Sequence, residues 1–152
     1  MTLNDIMTTG VITVSMDDSL RTVREIFDRY AFHHVVVVHK GKAVGLISER
    51  DILKHLSPFI GKISERVQDT ASLNKRAHQI MTRLVISAAP DTTIPNAIET
   101  MIKHDLSCLP VLNEGGRCVG IVTSRDMLRW CTACAIGPSA PVPRASAAPI
   151  GV

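Results

Sequence analysis

Two stretches of this chain are one unit written twice, and a duplicated unit constrains a fold more than any single motif does. The first runs from Asp5-Ile6-Met7-Thr8 to Gly45-Leu46-Ile47-Ser48-Glu49-Arg50-Asp51-Ile52-Leu53. The second runs from Gln79-Ile80-Met81-Thr82 to Gly120-Ile121-Val122-Thr123-Ser124-Arg125-Asp126-Met127-Leu128. Between these anchors Ile12 answers to Ile86, Asp17 to Asp91, Ser19 to Thr93, Leu20 to Ile94 and Val37 to Val111. The offset is 74 residues, becoming 75 after one extra residue near Gly115-Gly116. A period of that length is domain-sized, too long for a solenoid turn. Two such units are expected to pack on each other, with a ligand in the groove between them.

Each copy carries the same order of local signals. A short extended piece (Val11 to Val14, Val85 to Ala88) leads to a helix start at Ser19 or Thr93, whose hydroxyls suit an N-cap. Helical spacing follows: Leu20, Val23, Ile26, Phe27 and Tyr30 in the first copy, Ile94, Ala97, Ile98, Met101 and Ile102 in the second. Next come a strand (Val35 to Val38, Leu109 to Leu112), a glycine-containing hairpin turn and a return strand (Ala43 to Ile47, Cys118 to Val122). A last helix opens at Ser48 or Thr123. The expected architecture is therefore α+β, two β-α-β-β-α repeats. The unbroken run of four valines predicts a strand buried on both faces. Pro110, at the equivalent of Val36, lacks a ladder donor and belongs at a strand start or edge.

The repeats span 1–56 and 78–134, joined by a connector over 57–77 that reads as one short helix and a loop. From 135 to 152 the sequence is rich in Ala, Pro and Ser without periodicity, the composition of a disordered tail. With 17 basic and 14 acidic residues, evenly spread, the chain has no nucleic-acid footprint. No signal peptide and no membrane-length apolar run is visible, so a cytoplasmic protein with no membrane partner is expected. Reduced thiols follow for Cys108, Cys118, Cys131 and Cys134. Cys131-x-x-Cys134 lies after the last helical pattern, and no second such pair completes a zinc set. His104 and Cys108 are four apart, but the helix ends between them, so no metal site is expected.

The paired signature Gly45-x-x-Ser48-x-x-Asp51 and Gly120-x-x-Thr123-x-x-Asp126 carries the chemistry. A hydroxyl followed three residues later by an acid at a helix start is a capping pattern. Its recurrence after a strand in both copies also suits a ligand. A strand-to-helix junction presents free amides to a phosphate, and an aspartate one turn in presents two acceptors to a ribose diol. The two readings coexist, because a capping hydroxyl can still line a site.

These residues together resemble a tandem pair of cystathionine-β-synthase (CBS) domains, a Bateman module, over residues 3 to 130. The resemblance rests on the Ile-Met-Thr openings, Asp17-Asp18-Ser19-Leu20, Pro90-Asp91-Thr92-Thr93-Ile94, Leu109-Pro110-Val111 and the two Gly-h-h-Ser/Thr-x-Arg-Asp endings. It implies two repeats packed about a pseudo-two-fold axis, with adenosine-containing ligands in the clefts between them. One site would use Asp51 on the ribose and Ser48 and Arg50 near the phosphates, with Ile86 and Leu106-Ser107-Cys108 flanking the base. The mirror site would use Asp126, Thr123 and Arg125 with Ile12 and Phe32-His33-His34. Val36 departs from the family's usual proline. Adjacent histidines on a strand point to opposite faces, so at most one of His33 and His34 lines a given cleft; a histidine there can pair with a phosphate.

No nucleophile-base set, Walker loop or dinucleotide fingerprint is present, so catalysis is not expected. The leading expectation is a stand-alone regulatory module that needs no cofactor. It would bind AMP, ADP, ATP or S-adenosylmethionine, form homodimers through apolar helix surface such as Ile26, Phe27 and Met101, and bias an effector protein. The alternatives are a dimeric scaffold with empty clefts and a zinc- or redox-responsive protein built on Cys131 and Cys134.

Overall fold

A computed structural model describes residues 1–64, 66–84 and 86–136 of the chain. The chain forms two compact units, Ile12–Leu84, and Met1–Val11 with the described residues that follow Leu84. Apart from the final stretch of a helix at 135–136, the expected tail lies outside the described residues.

In the unit Ile12–Leu84, β1 (Thr13–Ser15), β2 (His34–His39), β3 (Lys42–Ser48) and β4 (Thr82–Arg83) form a sheet in the order β1-β2-β3-β4. The β1–β2 pair is parallel and the other two are antiparallel. Helix α2 (Leu20–Arg29) starts at Ser19, whose hydroxyl accepts from the Thr22 amide at 3.3 Å. That bond satisfies one of the donors every helix start leaves open. Leu20 and Val23 bury its inner face, with Ile26 and Phe27 packed partly against the same cluster. Val35, Val36 and Val37 are all fully buried, as a strand with no polar alternation requires. After α3 (Glu49–His55) the connector supplies α4 (Val67–Ala71) and a 3-10 turn (Ser72–Asn74), and α5 (Ala77–Ile80) opens the second repeat.

The other unit has α6 (Ile94–Lys103), β5 (Cys108–Leu112), β6 (Cys118–Thr123) and α7 (Ser124–Ile136). Thr93 occupies the N-cap position of α6, but its side chain makes no capping bond. Met101 is in the core at 5% exposure, so it is not the free helix surface expected from the sequence; Ile102 is the exposed one. Of the expected strand from Val85 to Ala88, the described residues form one parallel bridge, Ala88 with Val111. Pro110 explains the loss. Its carbonyl accepts from the Ala88 amide at 3.0 Å, so its nitrogen lies on that same edge with no hydrogen to continue the pairing upstream. Where the first copy has Val36, β1 pairs over three residues.

Each unit is completed by the opening helix of the other repeat. Helix α1 (Leu3–Ile6) sits in the second-copy unit, where the Leu3 and Asn4 amides donate to the Thr92 and Pro90 carbonyls at 2.9 Å. Thr8 bridges Ile121, and Leu3 and Met7 enter the core with Ile94, Leu109 and Val122. Helix α5 does the same in the first-copy unit. The Ala77 and His78 amides donate to Asp18 and Met16, and Ala77 and Ile80 join the core of Val14, Leu20 and Ile47. The compact units therefore do not follow the repeat boundaries at 56 and 78.

Candidate functional site

Strand β3 ends where alternation puts Ile47 fully inside and leaves Ser48 half-buried at the rim. Ser48 keeps extended backbone, φ −95° and ψ 161°, and α3 begins at the next residue. Its amide and its hydroxyl both donate to Oδ2 of Asp51 at 2.8 Å, and the Asp51 amide donates back to Ser48 Oγ at 3.2 Å. The second copy repeats this geometry. The Thr123 amide and hydroxyl donate to Asp126 Oδ2 at 2.8 Å, and the Asp126 amide donates to Thr123 Oγ1 at 3.4 Å.

The signature is thus a reciprocal capping box in both copies, with aspartate at the position glutamate more often fills. The bonds that each carboxylate accepts within the box all fall on one oxygen, Oδ2. The cap fixes the rotamer of each aspartate and leaves Oδ1 outside it. Arg129, one turn on, reaches Asp126 Oδ1 at 3.8 Å. A half-buried carboxylate held this way can accept from the hydroxyls of a diol without reorganising.

The signature glycines have a separate cause. A Cβ built on Gly45 would fall on the Sδ of Met81, and one on Gly120 on the Sδ of Met7. Each glycine makes room for the methionine of the exchanged opening segment, which seats that segment against the strand leading to the aspartate.

The residues at the start of β2 and β5 lie beside the signature of their own copy. His34 is opposite Ser48 in register, and the Glu49 amide donates to the His33 carbonyl at 3.0 Å. Likewise Cys108 is opposite Thr123, and the Ser124 amide donates to the Ser107 carbonyl at 2.9 Å. These contacts lie within each copy.

Chemistry differs between the copies at these equivalent positions. Exposed His33 pairs through Nδ1 with Glu49 Oε2 at 2.8 Å, where the second copy has Ser107 and Ser124. Burial lowers the pKa of His34, the neighbouring His33 lowers it further, and Asp51 pulls it back up. Burial pushes the Cys108 thiol far up, reinforced by Cys118 and Asp126, so it stays protonated. Phe32 is half-buried and stacks on Tyr30 at 5.5 Å between ring centroids. Ile12 and Ile86 are half-buried just ahead of their pairing segments, Ile86 against the core of its unit. Arg50 and Arg125 are exposed at the first turn of α3 and α7.

Two participants escaped the sequence reading. Glu49 lies inside the quoted motif, and its pairing with His33 needs the register of β2 on β3. Arg129 was legible as the i+3 neighbour of Asp126. Among the described residues no group of three or more His, Cys, Asp or Glu is placed to hold a metal ion. No helix among them is long and apolar enough to cross a membrane.

The CBS domain family matches residues 3–58 and 77–133. Protein MJ1426 of Methanocaldococcus jannaschii is 32% identical over 84% of this chain and 89% of its own length. A homoserine O-acetyltransferase of Methanococcoides burtonii is 32% identical over 82% of this chain, which spans only 23% of that enzyme. The CBS domain pair of protein MJ0100, crystallised with 5′-methylthioadenosine and S-adenosyl-L-methionine, superposes with a TM-score of 0.73 at 30% identity. That likeness covers 88% of this chain and 98% of the other. Two family matches that together take in most of the sequence, on a fold shared with a solved CBS pair, make this chain a member of the CBS domain family with two tandem repeats.

Proposed function

We propose that the chain is a regulatory module that binds adenosine-containing ligands, namely AMP, ADP, ATP or S-adenosylmethionine, and transmits their binding to an effector protein. The observation that carries this reading is the pair of capped carboxylates. In each copy Oδ2 is used by the cap, and Oδ1 is held rigidly beside it. A ribose diol is the part of an adenosine ligand that such a group accepts from. Family membership and the adenosine ligands of the MJ0100 pair support adenosine over other diols.

Asp51 and Asp126 hold the ribose; Ser48 and Thr123 fix them and line the same junction; Arg50 and Arg125 face the phosphates. Ile12, Phe32, His33 and His34 in one copy, and Ile86, Ser107 and Cys108 in the other, flank the base or its substituents. The adenosine ligand is a regulator rather than a cofactor, and we assign the chain no catalytic step. We place it in the cytoplasm.

A second copy of the chain belongs to the same reading. Leu53 on α3 and Leu128 on α7 are equivalent residues of the two repeats, and both stay exposed, at 71% and 67%. Leu53 also lines a groove of about 280 Å³ with Phe27, Leu56 and Ile60. Repeated apolar exposure at one position of a duplicated fold fits homodimerisation.

A thermal-shift screen tests the ligand assignment against the scaffold alternative. A ligand at 100 times its Kd stabilises the folded state by about 2.7 kcal/mol. A rise in melting temperature with at least one adenosine ligand, absent in Asp51→Asn/Asp126→Asn, is the expected result. A chain whose melting temperature none of them moves is a scaffold.

A further inference from the structure

The last turns of α7 present a feature that the adenosine reading does not use. Met127, Trp130, Cys131 and Cys134 stand at i, i+3, i+4 and i+7 on one stripe of the helix. Met127 is buried and Trp130 packs partly on the core with Leu3, Met7 and Leu109. Beyond them the stripe continues as Cys131 and Cys134, and both thiols are exposed and free. The other two cysteines are less accessible, Cys108 being buried and Cys118 half-buried.

The spacing decides what this dithiol can do. Side chains three apart on a helix have Cβ atoms about 5–6 Å from each other. A disulfide needs Cβ atoms about 3.5–4.5 Å apart, so closing one would require α7 to unwind. Two sulfurs at helical spacing can instead meet on a single atom placed between them. Zinc is a poor occupant, because structural sites take four ligands and the described residues offer no third. Thiolate pairs select soft ions, of which Cu(I) is the accessible one.

We propose that Cys131 and Cys134 form a two-thiolate site for a soft, two-coordinate cation of the Cu(I) type. Each thiol gives its proton to solvent and each sulfur donates a lone pair, so one ion bound releases two protons and no electron is transferred. Affinity therefore rises with pH. The chain's single tryptophan, Trp130, is adjacent to Cys131 and one turn from Cys134, so it reports occupancy.

The test is an anaerobic titration of the full chain with Cu(I), read by Trp130 fluorescence and by competition with a Cu(I) chelator. The expected result is one ion per chain with quenching of Trp130, lost in Cys131→Ser and in Cys134→Ser. Melting temperatures should stay unchanged in both, since neither thiol is buried. Moving one thiol along the helix adds a geometric control. Cys134→Ser/Ala135→Cys keeps both sulfurs on one face and should retain the ion. Cys131→Ser/Thr132→Cys puts them on different faces and should lose it. Absence of uptake overturns the proposal, as does uptake unchanged in Cys131→Ser/Cys134→Ser or indifferent to helix phase. A Cu(I)-dependent rise in molecular mass also overturns it, because the ion would then bridge two chains.

Discussion

At the scale of single residues, the signature serves two structural ends apart from the ligand proposed for it. Asp51 and Asp126 cap their helices, and Gly45 and Gly120 admit the exchanged methionines. In Gly120→Ala the new methyl group meets Sδ, Cγ and Cβ of Met7, and the Cβ cannot swing away as a side-chain end would. Overpacking of this kind costs about 1–3 kcal/mol. Chemical denaturation should show that loss, and it should shrink in a Met7→Ala background, where the two changes couple. Equal losses in both backgrounds would mean that the glycine answers to something else.

His34 makes a pH-dependent contribution whose sign follows from its surroundings. Its pKa in the folded state lies below the ordinary histidine value of 6.5, through burial first and His33 second, against the opposing pull of Asp51. The unfolded chain therefore takes up the proton first as pH falls. Stability from neutral His34 is complete above pH 6.5 and is lost progressively below it. Glu49, paired with His33, and Arg50 in the first turn of α3 stand at the same corner. Urea midpoints should fall between pH 7 and pH 5.5 more steeply in the wild type than in His34→Gln. Parallel curves would contradict the assignment.

At the scale of elements, the exchange of α1 and α5 is the least legible part of the fold. Spacing placed α2, β2, β3, α6, β5 and β6 within a residue or two, because each buries a periodic face of its own. The Ile-Met-Thr openings were visible as matched pieces, but nothing in their local pattern says which copy they complete. That answer is written in long-range bonds such as Leu3 to Thr92 and Ala77 to Asp18. The bridge that replaces the strand before Ala88 was half legible, since Pro110 was read as an edge residue without its consequence for the pairing. In the candidate site, the hydroxyl-acid pair was readable because it is local. The His33–Glu49 ion pair depends on β2–β3 register and was not. Truncating Leu3, which is fully buried, tests the exchange directly. Leu3→Ala should cost about 2–5 kcal/mol. Trp130 packs on the same cluster, so its fluorescence should report the earlier unfolding. A Trp130 transition that Leu3→Ala leaves in place would show that α1 contributes nothing to that core.

At the scale of the molecule, duplication gives each copy the same capped carboxylate and different neighbours. His33, His34 and Glu49 in one copy stand where Ser107, Cys108 and Ser124 stand in the other. Under the proposed function, two sites with common ribose chemistry and different preferences elsewhere follow from that difference. Association is read from Leu53 and Leu128, so Leu53→Glu/Leu128→Glu should shift a dimer to monomer by light scattering without lowering the melting temperature of each chain. A wild-type chain that is monomeric at working concentrations would remove the dimer from the account.

The central claim is that Oδ1 of each capped aspartate, the oxygen the cap does not use, receives the ribose of an adenosine ligand. Asp51→Asn/Asp126→Asn separates that role from the cap, because an asparagine oxygen can replace Oδ2 while its amide replaces Oδ1. Calorimetric titration of wild type and double variant with AMP, ADP, ATP and S-adenosylmethionine measures it most directly. The account predicts binding of at least one of these to the wild type and an affinity at least about tenfold weaker in the variant, the loss of a charge-assisted hydrogen bond. No binding to any of the four, or equal affinity in both proteins, would contradict it.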